Sequence, residues 1–128
     1  WGSIGTVWQK PCLMVMVRQS RYTHELIEKG TEFTVSIPVN EMKKALGLCG
    51  TKSGRDMDKI SAADLTLLPG KVVGVPVIKG CGLHFECKIV YKQTMEQNLL
   101  EANNDKAWYA NGDYHTLYYG EIVAAYEE

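Results

Sequence analysis

Apolar and polar positions alternate along much of the chain in the pattern typical of β-strands. The stretch from Leu83 to Tyr91 is the clearest case, because its odd-numbered residues are all apolar and predict one face buried in a core. Its other face carries the polar residues His84, Glu86 and Lys88. Cys12 to Val17 is instead a continuous apolar run of strand length. The strands predicted on these grounds are Ile4 to Trp8, Cys12 to Val17, Phe33 to Ile37, Leu83 to Tyr91 and Thr116 to Tyr126, the last with a bend or bulge at Gly120.

Short helices are predicted between the strands from capping and stop residues. They are His24 to Lys29 with Thr23 as cap and Gly30 as stop, Glu41 to Leu46 with Asn40 as cap and Gly47 as stop, and a turn that Ser61 caps and that runs through Asp64. Gly70 to Gly82 holds four glycines and a proline among apolar residues, which predicts an extended, partly buried connector. Thr94 to Asn104 has helical composition, and Asn111 to Asp113 predicts a turn.

The order of these elements predicts a mainly β protein with short helices. Strands of differing length, separated by turns every ten to twenty residues or so, are typical of a small closed or half-closed β-barrel, here of about five or six strands. Neither a regular βαβ alternation nor a Gly-x-Gly-x-x-Gly fingerprint is present, which argues against a doubly wound parallel sheet. We expect one domain over residues 1–128.

Composition narrows the class of protein further. The chain is 45% hydrophobic and 23% charged, which is typical of a globular domain, and its net charge of -1 argues against a general nucleic-acid binder. No apolar run is long enough to span a bilayer, and no signal-peptide pattern opens the chain, so we expect no membrane partner. Because Trp1 rather than Met opens the sequence, we also expect that an N-terminal segment precedes it.

The four cysteines are expected to be reduced thiols. None of Cys12, Cys49, Cys81 and Cys87 forms a C-x-x-C pair, and Cys12 and Cys87 lie in predicted strands. This spacing favours buried thiols in a cytoplasmic protein over a disulfide framework. His84 stands near Cys87, but no second pair completes a zinc site, so no metal is predicted.

The candidate chemistry lies in two segments, Val17 to Thr23 (VRQSRYT) and Cys49 to Lys59 (CGTKSGRDMDK). Each combines cations, hydroxyls and small residues beside an apolar run. A phosphate is bound by such a set, because guanidinium charge, hydroxyl donors and backbone N–H groups near a glycine or a helix start all favour an anion. We interpret the two segments as halves of one phosphate site. The residue types alone are equally compatible with two ordinary solvated turns.

Within the first segment, Arg18 and Arg21 would supply charge, while Ser20 and Thr23 would supply hydroxyls. Thr23 can act equally well as a plain helix cap, and the two roles are compatible.

In the second segment, Gly50 and Gly54 flank Thr51 to Ser53 and would let the backbone come close to a ligand. Lys59 precedes the apolar Ile60 and would point inward toward a ligand. The alternative is that the charges of this segment pair with one another on the surface.

Long stretches of the chain resemble the flavin reductase-like, FMN-binding split-barrel family, and within it the flavoredoxin branch. The resemblance covers Trp1 to Pro38, the CGTKSGRDMDK segment, Leu83 to Lys92 (LHFECKIVYK) and Asp113 to Tyr126 (DYHTLYYGEIVAAY), in this order along the chain. Members of this family usually begin with one more strand before the position of Trp1. This feature of the family agrees with the expectation that an N-terminal segment precedes Trp1.

The resemblance implies a split β-barrel that binds FMN non-covalently, usually as a homodimer with the flavin near the subunit interface. The implied phosphate contacts are Arg18, Ser20, Arg21 and Thr23; those along the isoalloxazine ring are Trp1, Gly2, Ser3, Gly5 and Thr6; those near the ring or ribityl chain are Cys49, Gly50, Thr51 and Ser53. Lys59 would reach the flavin as a cation, and His115 would lie beside the ring or a nicotinamide donor. His115 can also be a strand-end histidine without a ligand.

The resemblance leaves three functions open. The first is an oxidoreductase in which FMN accepts a hydride from NAD(P)H and passes electrons to free flavin, a redox partner protein or another acceptor. The second is an electron-transfer flavoprotein that a protein donor reduces. The third is a module that binds FMN without catalysis. No NAD(P)H fingerprint is readable in the sequence, so the first two are not separated. The interval from Gln93 to Gly112 varies among family members, and no site residue is assigned to it.

Overall fold

The computed structural model describes residues 1–128, and its centre is a five-stranded antiparallel sheet in the order β1-β2-β7-β6-β3. The strands are β1 (Gly2–Val7), β2 (Lys10–Arg18), β3 (Glu32–Pro38), the two-residue pair β4 (Leu67–Leu68) and β5 (Val77–Ile78), β6 (Gly82–Thr94) and β7 (His115–Glu127). The helices are α1 (Tyr22–Glu28), α2 (Lys43–Thr51), α3 (Lys59–Ala62) and α4 (Ala102–Trp108), with a 3-10 turn at Gln97–Leu99. The mainly β architecture with short helices that the sequence predicted is confirmed.

The first two strands form a tight hairpin. Val7 pairs with Lys10, so that only Trp8 and Gln9 make the turn, and both have positive φ angles of 53° and 60°. Two positive φ values define the turn whose twist matches a hairpin, although glycine and asparagine adopt it more readily. The strand predicted from Ile4 to Trp8 is therefore shifted: it runs from Gly2 to Val7, and Trp8 belongs to the turn.

The buried core lies where β7 crosses between its neighbours. Leu13, Phe33, Cys87 and Tyr118 form its fully buried cluster. A Cβ at Gly120 would lie 2.5 Å from Cζ of Phe33 and 2.7 Å from Cβ of Cys87, so only glycine fits between them. The close approach of Phe33 and Cys87, and not a bulge in β7 at this position, explains why residue 120 is a glycine.

The bulge expected at Gly120 lies on the neighbouring strand. Ile89 pairs with Gly120 and Tyr91 pairs with Tyr119, which leaves Val90 as the extra residue of β6. The alternation predicted for Leu83 to Tyr91 is interrupted at this point, and Tyr91 is exposed rather than buried. The alternation of apolar residues along the sequence cannot reveal this shift in strand pairing, because the extra residue does not change the pattern of apolar positions.

The face of β6 predicted to be polar is also covered at its start. His84 and Glu86 are both buried: residues 71–73 fold over Glu86, whereas the ring of His84 hydrogen-bonds to the side chains of Ser36 and Glu128. Glu86 accepts hydrogen bonds from the backbone N–H groups of residues 71–73 and from the hydroxyl of Tyr126. The connector predicted from Gly70 to Gly82 is thus partly buried, as expected, and a buried carboxylate anchors it.

The helices begin and end at other residues than the capping signals predicted. Arg21, not Thr23, is the N-cap of α1, and Met42, not Asn40, is that of α2; neither cap makes a side-chain hydrogen bond. Helix α2 also continues through Gly47, the expected stop, to Thr51. Asp58 rather than Ser61 caps α3, since its carboxylate accepts from the N–H of Ser61. Gly30 follows the C-cap of α1, as predicted.

Residues 95–114, called here the α4 segment, connect the two longest strands. The helix predicted from Thr94 to Asn104 is displaced, because Thr94 still belongs to β6 and α4 begins only at Ala102. The side chain of Glu101 caps α4 by accepting from the N–H groups of Asn103 and Asn104. The α4 segment then returns to the end of the sheet where β7 begins.

All four cysteines are free thiols, and Cys12, Cys81 and Cys87 are buried, as predicted. Burial, with a smaller effect of Cys12, raises the pKa of the Cys87 thiol to about 12. None of the helices is long and apolar enough to cross a lipid bilayer. The structure groups no three His, Cys, Asp or Glu side chains closely enough to hold a metal ion.

Candidate functional site

The two segments singled out in the sequence meet at one open cleft of about 640 Å³. One wall is α1, with Tyr22 and Thr23, and the other is the stretch from Gly54 to Ile60. Arg55 joins the walls, because its Nη1 donates to Oε1 of Glu25 at 2.7 Å and its guanidinium lies 5.4 Å from the ring of Tyr22. The predicted proximity of the two segments is therefore present in the fold.

The second segment contributes to this cleft differently from the prediction. Cys49, Gly50 and Thr51 form the last turn of α2 instead of a glycine-flanked loop, because α2 runs on through its two glycines. The hydroxyl of Thr51 is used inside the helix, where it donates to the carbonyl of Gly47 at 2.7 Å. Of the second segment, the part after Ser53 lines the cleft.

Arg21 and Thr23 carry polar groups that the chain does not use. Arg21 caps α1 and Thr23 lies in its first turn, and both side chains are exposed. Neither side chain makes a hydrogen bond or an ion pair, so the guanidinium and the hydroxyl remain available to an anion near the start of the helix.

Arg18 and Ser20 are instead engaged with the α4 segment. Arg18 donates from Nη1 to the carbonyl of Asp113 at 2.7 Å and from Nη2 to the carbonyl of Trp108 at 3.0 Å. Ser20 donates from its backbone N to Oδ1 of Asp113 at 3.2 Å and from Oγ to Oδ2 at 2.5 Å. These bonds fasten the turn between β2 and α1 to the chain just before β7.

Asp113 is a carboxylate placed among the predicted phosphate donors. Its partial burial would raise its pKa, but the two hydrogen bonds from Ser20 and the charges of Arg18 and Arg21 outweigh burial and lower the pKa. Asp113 is therefore ionised at neutral pH. The donors of Ser20 are occupied by an anion that the chain itself supplies, so a phosphate at this turn would meet Arg21 and Thr23 first.

Aromatic rings gather at the same end of the sheet. The ring of Trp1 lies 5.1 Å from the ring of His115 and 5.1 Å from that of Trp108, with the two indoles nearly perpendicular. His115 faces Arg18 across the β2–β7 ladder. Tyr109 lies behind His115, with its hydroxyl 2.6 Å from Nδ1, and the guanidinium of Arg18 lies 5.1 Å from its ring.

Three of these neighbours were missed by the sequence analysis: Trp108, Tyr109 and Asp113. All belong to the α4 segment, to which no site residue was assigned. They reach the site through contacts that join residues about ninety positions apart, such as those of Arg18 and Ser20. The only local signal was the pair of aromatics just before the Asn111 to Asp113 turn, which by itself indicates no ligand.

Of the residues predicted along the flavin ring, all but Trp1 lie on β1, an edge strand whose outer backbone groups have no partner strand. Alternation places Gly2 and Thr6 on one face and Ser3 and Gly5 on the other. A Cβ at Gly2 would lie 2.7 Å from the carbonyl oxygen of Met14, so packing alone requires that glycine. A Cβ at Gly5 would meet no atom within 4 Å, so packing does not explain it.

Lys59 is directed back to α2. Its Nζ donates to the carbonyl oxygen of Cys49 at 2.7 Å, and its half-buried side chain lines the cleft. An ammonium group has three donors, so two remain for a ligand. Ser53 uses its hydroxyl oxygen to accept from the N–H of Arg55. Gly50, like Gly5, has open space where a Cβ would lie.

The predicted site residues thus form two groups. Trp1, Arg18, Ser20 and His115 lie at the end of the sheet, whereas Thr23, Cys49 and Lys59 lie around the cleft and the end of α2. No hydrogen bond or ion pair joins the groups directly. The turn from Arg18 to Thr23 links them through the chain, and Arg21 stands in its middle.

Solved structures share this fold. A flavoredoxin from Methanosarcina acetivorans is 31% identical with a TM-score of 0.75, and the match covers 100% of this chain and 58% of that chain. An FMN-binding protein from Thermus thermophilus with bound p-hydroxybenzaldehyde is 27% identical with a TM-score of 0.75, over 100% of this chain and 61% of the other.

Sequence comparison gives the same assignment. An uncharacterised protein of Archaeoglobus fulgidus is 37% identical over 111 residues, which are 87% of this chain and 53% of that protein. The chain therefore spans about half the length of this relative. The family model of the flavin reductase-like domain matches residues 5–128. The chain belongs to the flavin reductase-like domain family, which is the family that its sequence resembles.

Proposed function

We propose that this chain binds FMN at the turn from Arg18 to Thr23 and acts as a flavoprotein oxidoreductase that takes a hydride from NAD(P)H and passes electrons on. The observation that carries the proposal is the cleft between α1 and residues 54–60, which Thr23 lines, together with the unused side chain of Arg21 at the N-cap of α1. The FMN-binding protein of Thermus thermophilus, which has the same fold, supports it.

The proposed phosphate site uses the four residues of the turn in two ways. Arg21 and Thr23 would contact the phosphate directly, because their donors are unpaired and α1 begins beside them. Arg18 and Ser20 would hold the turn in place through the α4 segment. The guanidinium of Arg18 still adds positive charge, although its hydrogen bonds go to carbonyl groups.

The proposed ring site uses β1 and α2. The free edge of β1 offers backbone donors and acceptors to the polar rim of a flat ring, and the open positions at Gly5 and Gly50 leave room for it. Trp1 would lie against the ring. Lys59 would place positive charge near the N1–C2=O edge, where a cation favours the anionic reduced flavin. The chemistry that FMN supplies when bound is the uptake and release of two electrons.

We propose that the chain forms a homodimer, because several large apolar side chains are exposed. Trp8 and Tyr91 are exposed with ring centroids 6.4 Å apart, and Ile4 of β1 and Val90 of β6 are further exposed apolar residues. A second copy would cover these side chains and bring two sites close to one interface. Light scattering should give the mass of two chains, and the mass of one chain at every concentration would contradict the dimer.

An electron-transfer protein without a nicotinamide site is the second candidate. The likeness to the flavoredoxin of Methanosarcina acetivorans favours it. A protein that binds FMN and passes no electrons is the remaining outcome.

Anaerobic stopped-flow absorbance separates these functions. The protein is loaded with FMN and mixed with NADH, with NADPH, or with a chemically reduced ferredoxin-type protein. Rapid bleaching by a nicotinamide supports the oxidoreductase, and bleaching by the reduced protein alone supports the carrier. His115→Ala should keep FMN bound and slow only the nicotinamide reaction. A chain that leaves the fluorescence of added FMN unchanged binds no flavin and contradicts the proposal.

A further inference from the structure

Tyr109 and His115 form a buried pair at the end of the sheet. Oη of Tyr109 lies 2.6 Å from Nδ1 of His115, and each residue is 5% exposed. Tyr109 follows α4 directly and His115 opens β7, so this bond joins the α4 segment to the sheet. Nothing in the sequence pattern assigned a role to Tyr109.

The surroundings of the pair determine its protonation state. Burial raises the pKa of Tyr109 although Arg18 opposes this, so its hydroxyl keeps its proton. Burial also lowers the pKa of His115; Arg18 and Arg21 act in the same direction, and Asp113 opposes them. At neutral pH the pair is therefore a phenol and an uncharged imidazole. The hydroxyl can also reach Sδ of Met95 at 3.3 Å, but an imidazole nitrogen is the stronger acceptor and the closer one.

The other ring nitrogen of His115 is open. Nε2 makes no hydrogen bond in the chain, and every fully buried side-chain nitrogen or oxygen has a partner, so Nε2 must reach the surface. The ring of Trp1, which is 63% exposed, lies 5.1 Å from the imidazole and tilted by 32°. A flat ligand that rests on Trp1 would therefore lie close to this nitrogen.

We propose that Tyr109 is a positioning residue for His115: its hydroxyl donates to Nδ1 and holds the imidazole as the Nε2–H tautomer, so that His115 offers an uncharged donor to a ligand at the end of the sheet. The titratable groups that act on His115 are Arg18 of β2, the amino group at Trp1, Arg21 before α1, Tyr109 after α4 and Asp113 before β7. That the ligand is a flavin rests on the proposed function, whereas the tautomer does not.

The tautomer is measured directly on ligand-free, ¹⁵N-labelled protein at pH 7, by correlating the imidazole nitrogens with the ring carbon-bound protons. The wild type should show a protonated Nε2 and an unprotonated Nδ1 on His115. In Tyr109→Phe, the ratio of the Nδ1–H to the Nε2–H tautomer should rise roughly fivefold, the factor that the loss of one neutral hydrogen bond gives.

Tyr114→Phe is the matched control. Its ring stacks on that of Tyr109 at 4.8 Å, but its hydroxyl donates to Asp105, so the tautomer of His115 should not change. Backbone amide spectra report whether each variant is folded, and the wild-type measurement needs no variant.

A protonated Nδ1 in the wild type, or an unchanged ratio in folded Tyr109→Phe, overturns the proposal. Addition of FMN to the wild type should shift the Nε2 resonance; failure to bind would count against the proposed function and leave the tautomer result unaffected.

Discussion

Arg18 and Arg21 stand three residues apart in one turn, yet the fold uses them differently. Arg18 spends two of its five donors on carbonyl groups of the α4 segment, and its planar face covers Tyr109. Arg21 points into solvent with no partner. In the sequence the two arginines look equivalent. Only the long-range contacts of Arg18 show that it holds the turn in place, whereas Arg21 is free for a ligand.

Replacement of Arg21 by Ala should therefore weaken FMN binding and leave riboflavin binding nearly unchanged, because riboflavin lacks the phosphate. The loss of a charge-assisted hydrogen bond costs about 1.5–3 kcal/mol, which raises the dissociation constant about 10- to 150-fold. Titration of flavin fluorescence with the purified protein measures both constants.

The control for charge alone is Lys10→Ala. Lys10 begins β2 at the end opposite to the turn and pairs with Glu121, so the change in net charge is the same but the phosphate site is untouched. An equal loss of affinity for FMN and riboflavin in Arg21→Ala, or an equal loss in both variants, would contradict the assignment of Arg21.

At the level of the elements, the apolar patterns predicted β2, β3, β6 and β7 well, because each of these strands packs side chains on the core cluster, whereas β1 is exposed along most of its length. The helix ends were predicted less well. Helices α1 and α2 have Arg21 and Met42 as N-caps, and neither side chain makes a capping hydrogen bond, so propensity signals at Thr23 and Asn40 pointed to the wrong residues. Tertiary packing, which a local signal does not contain, determines where these short helices start.

The α4 segment shows the same limit at the candidate site. Its own sequence predicts little more than a helix and a turn. Its part in the site comes from Trp108, Tyr109 and Asp113, and each acts through a partner on another element. The residues recognised from the sequence were those in compact motifs, such as Arg21 and Thr23.

Two glycines of α2 allow packing and function to be separated. Gly47 and Gly50 both lie inside the helix, and a Cβ at either would meet no atom within 4 Å. Alanine at each position should therefore raise the free energy of unfolding, by up to about 1 kcal/mol, because alanine loses less backbone entropy in a helix. Only Gly50→Ala should weaken FMN binding, since only Gly50 is assigned to the ring site.

Urea unfolding and flavin titration of both variants check this. Gly47→Ala is the control for any general effect of a stiffer α2. If both variants bind FMN like the wild type, the open space at Gly50 is not part of the site. If both lose affinity equally, the effect belongs to the helix.

For the molecule as a whole, buried polar groups contribute to holding loops on the sheet. The buried apolar cluster contains four residues, whereas the connector over β6 is held by hydrogen bonds to the side chains of Glu86, Glu32, Thr34 and Ser36, of which only Glu86 is buried. Glu86 is 0% exposed; burial by itself would raise its pKa, but hydrogen bonds from Tyr126 and from the N–H groups of residues 71–73 outweigh burial and lower the pKa to about 2. The free energy of unfolding should therefore decrease at acidic pH, when this side chain becomes protonated.

The ordinary pKa of the Glu86 carboxyl is 4.5 and the folded value is about 2, so its contribution is complete above pH 4.5 and is lost as pH falls toward 2. The difference corresponds to about 3 kcal/mol of unfolding free energy. Glu86→Gln should be less stable at pH 7, because the amide N–H₂ group of glutamine would face hydrogen-bond donors that a carboxylate oxygen accepts. The stability of this variant should also fall less steeply below pH 4.5. Urea unfolding from pH 7 to pH 2 measures both slopes. Equal slopes would mean that other carboxylates cause the acid sensitivity and that the connector is held by packing.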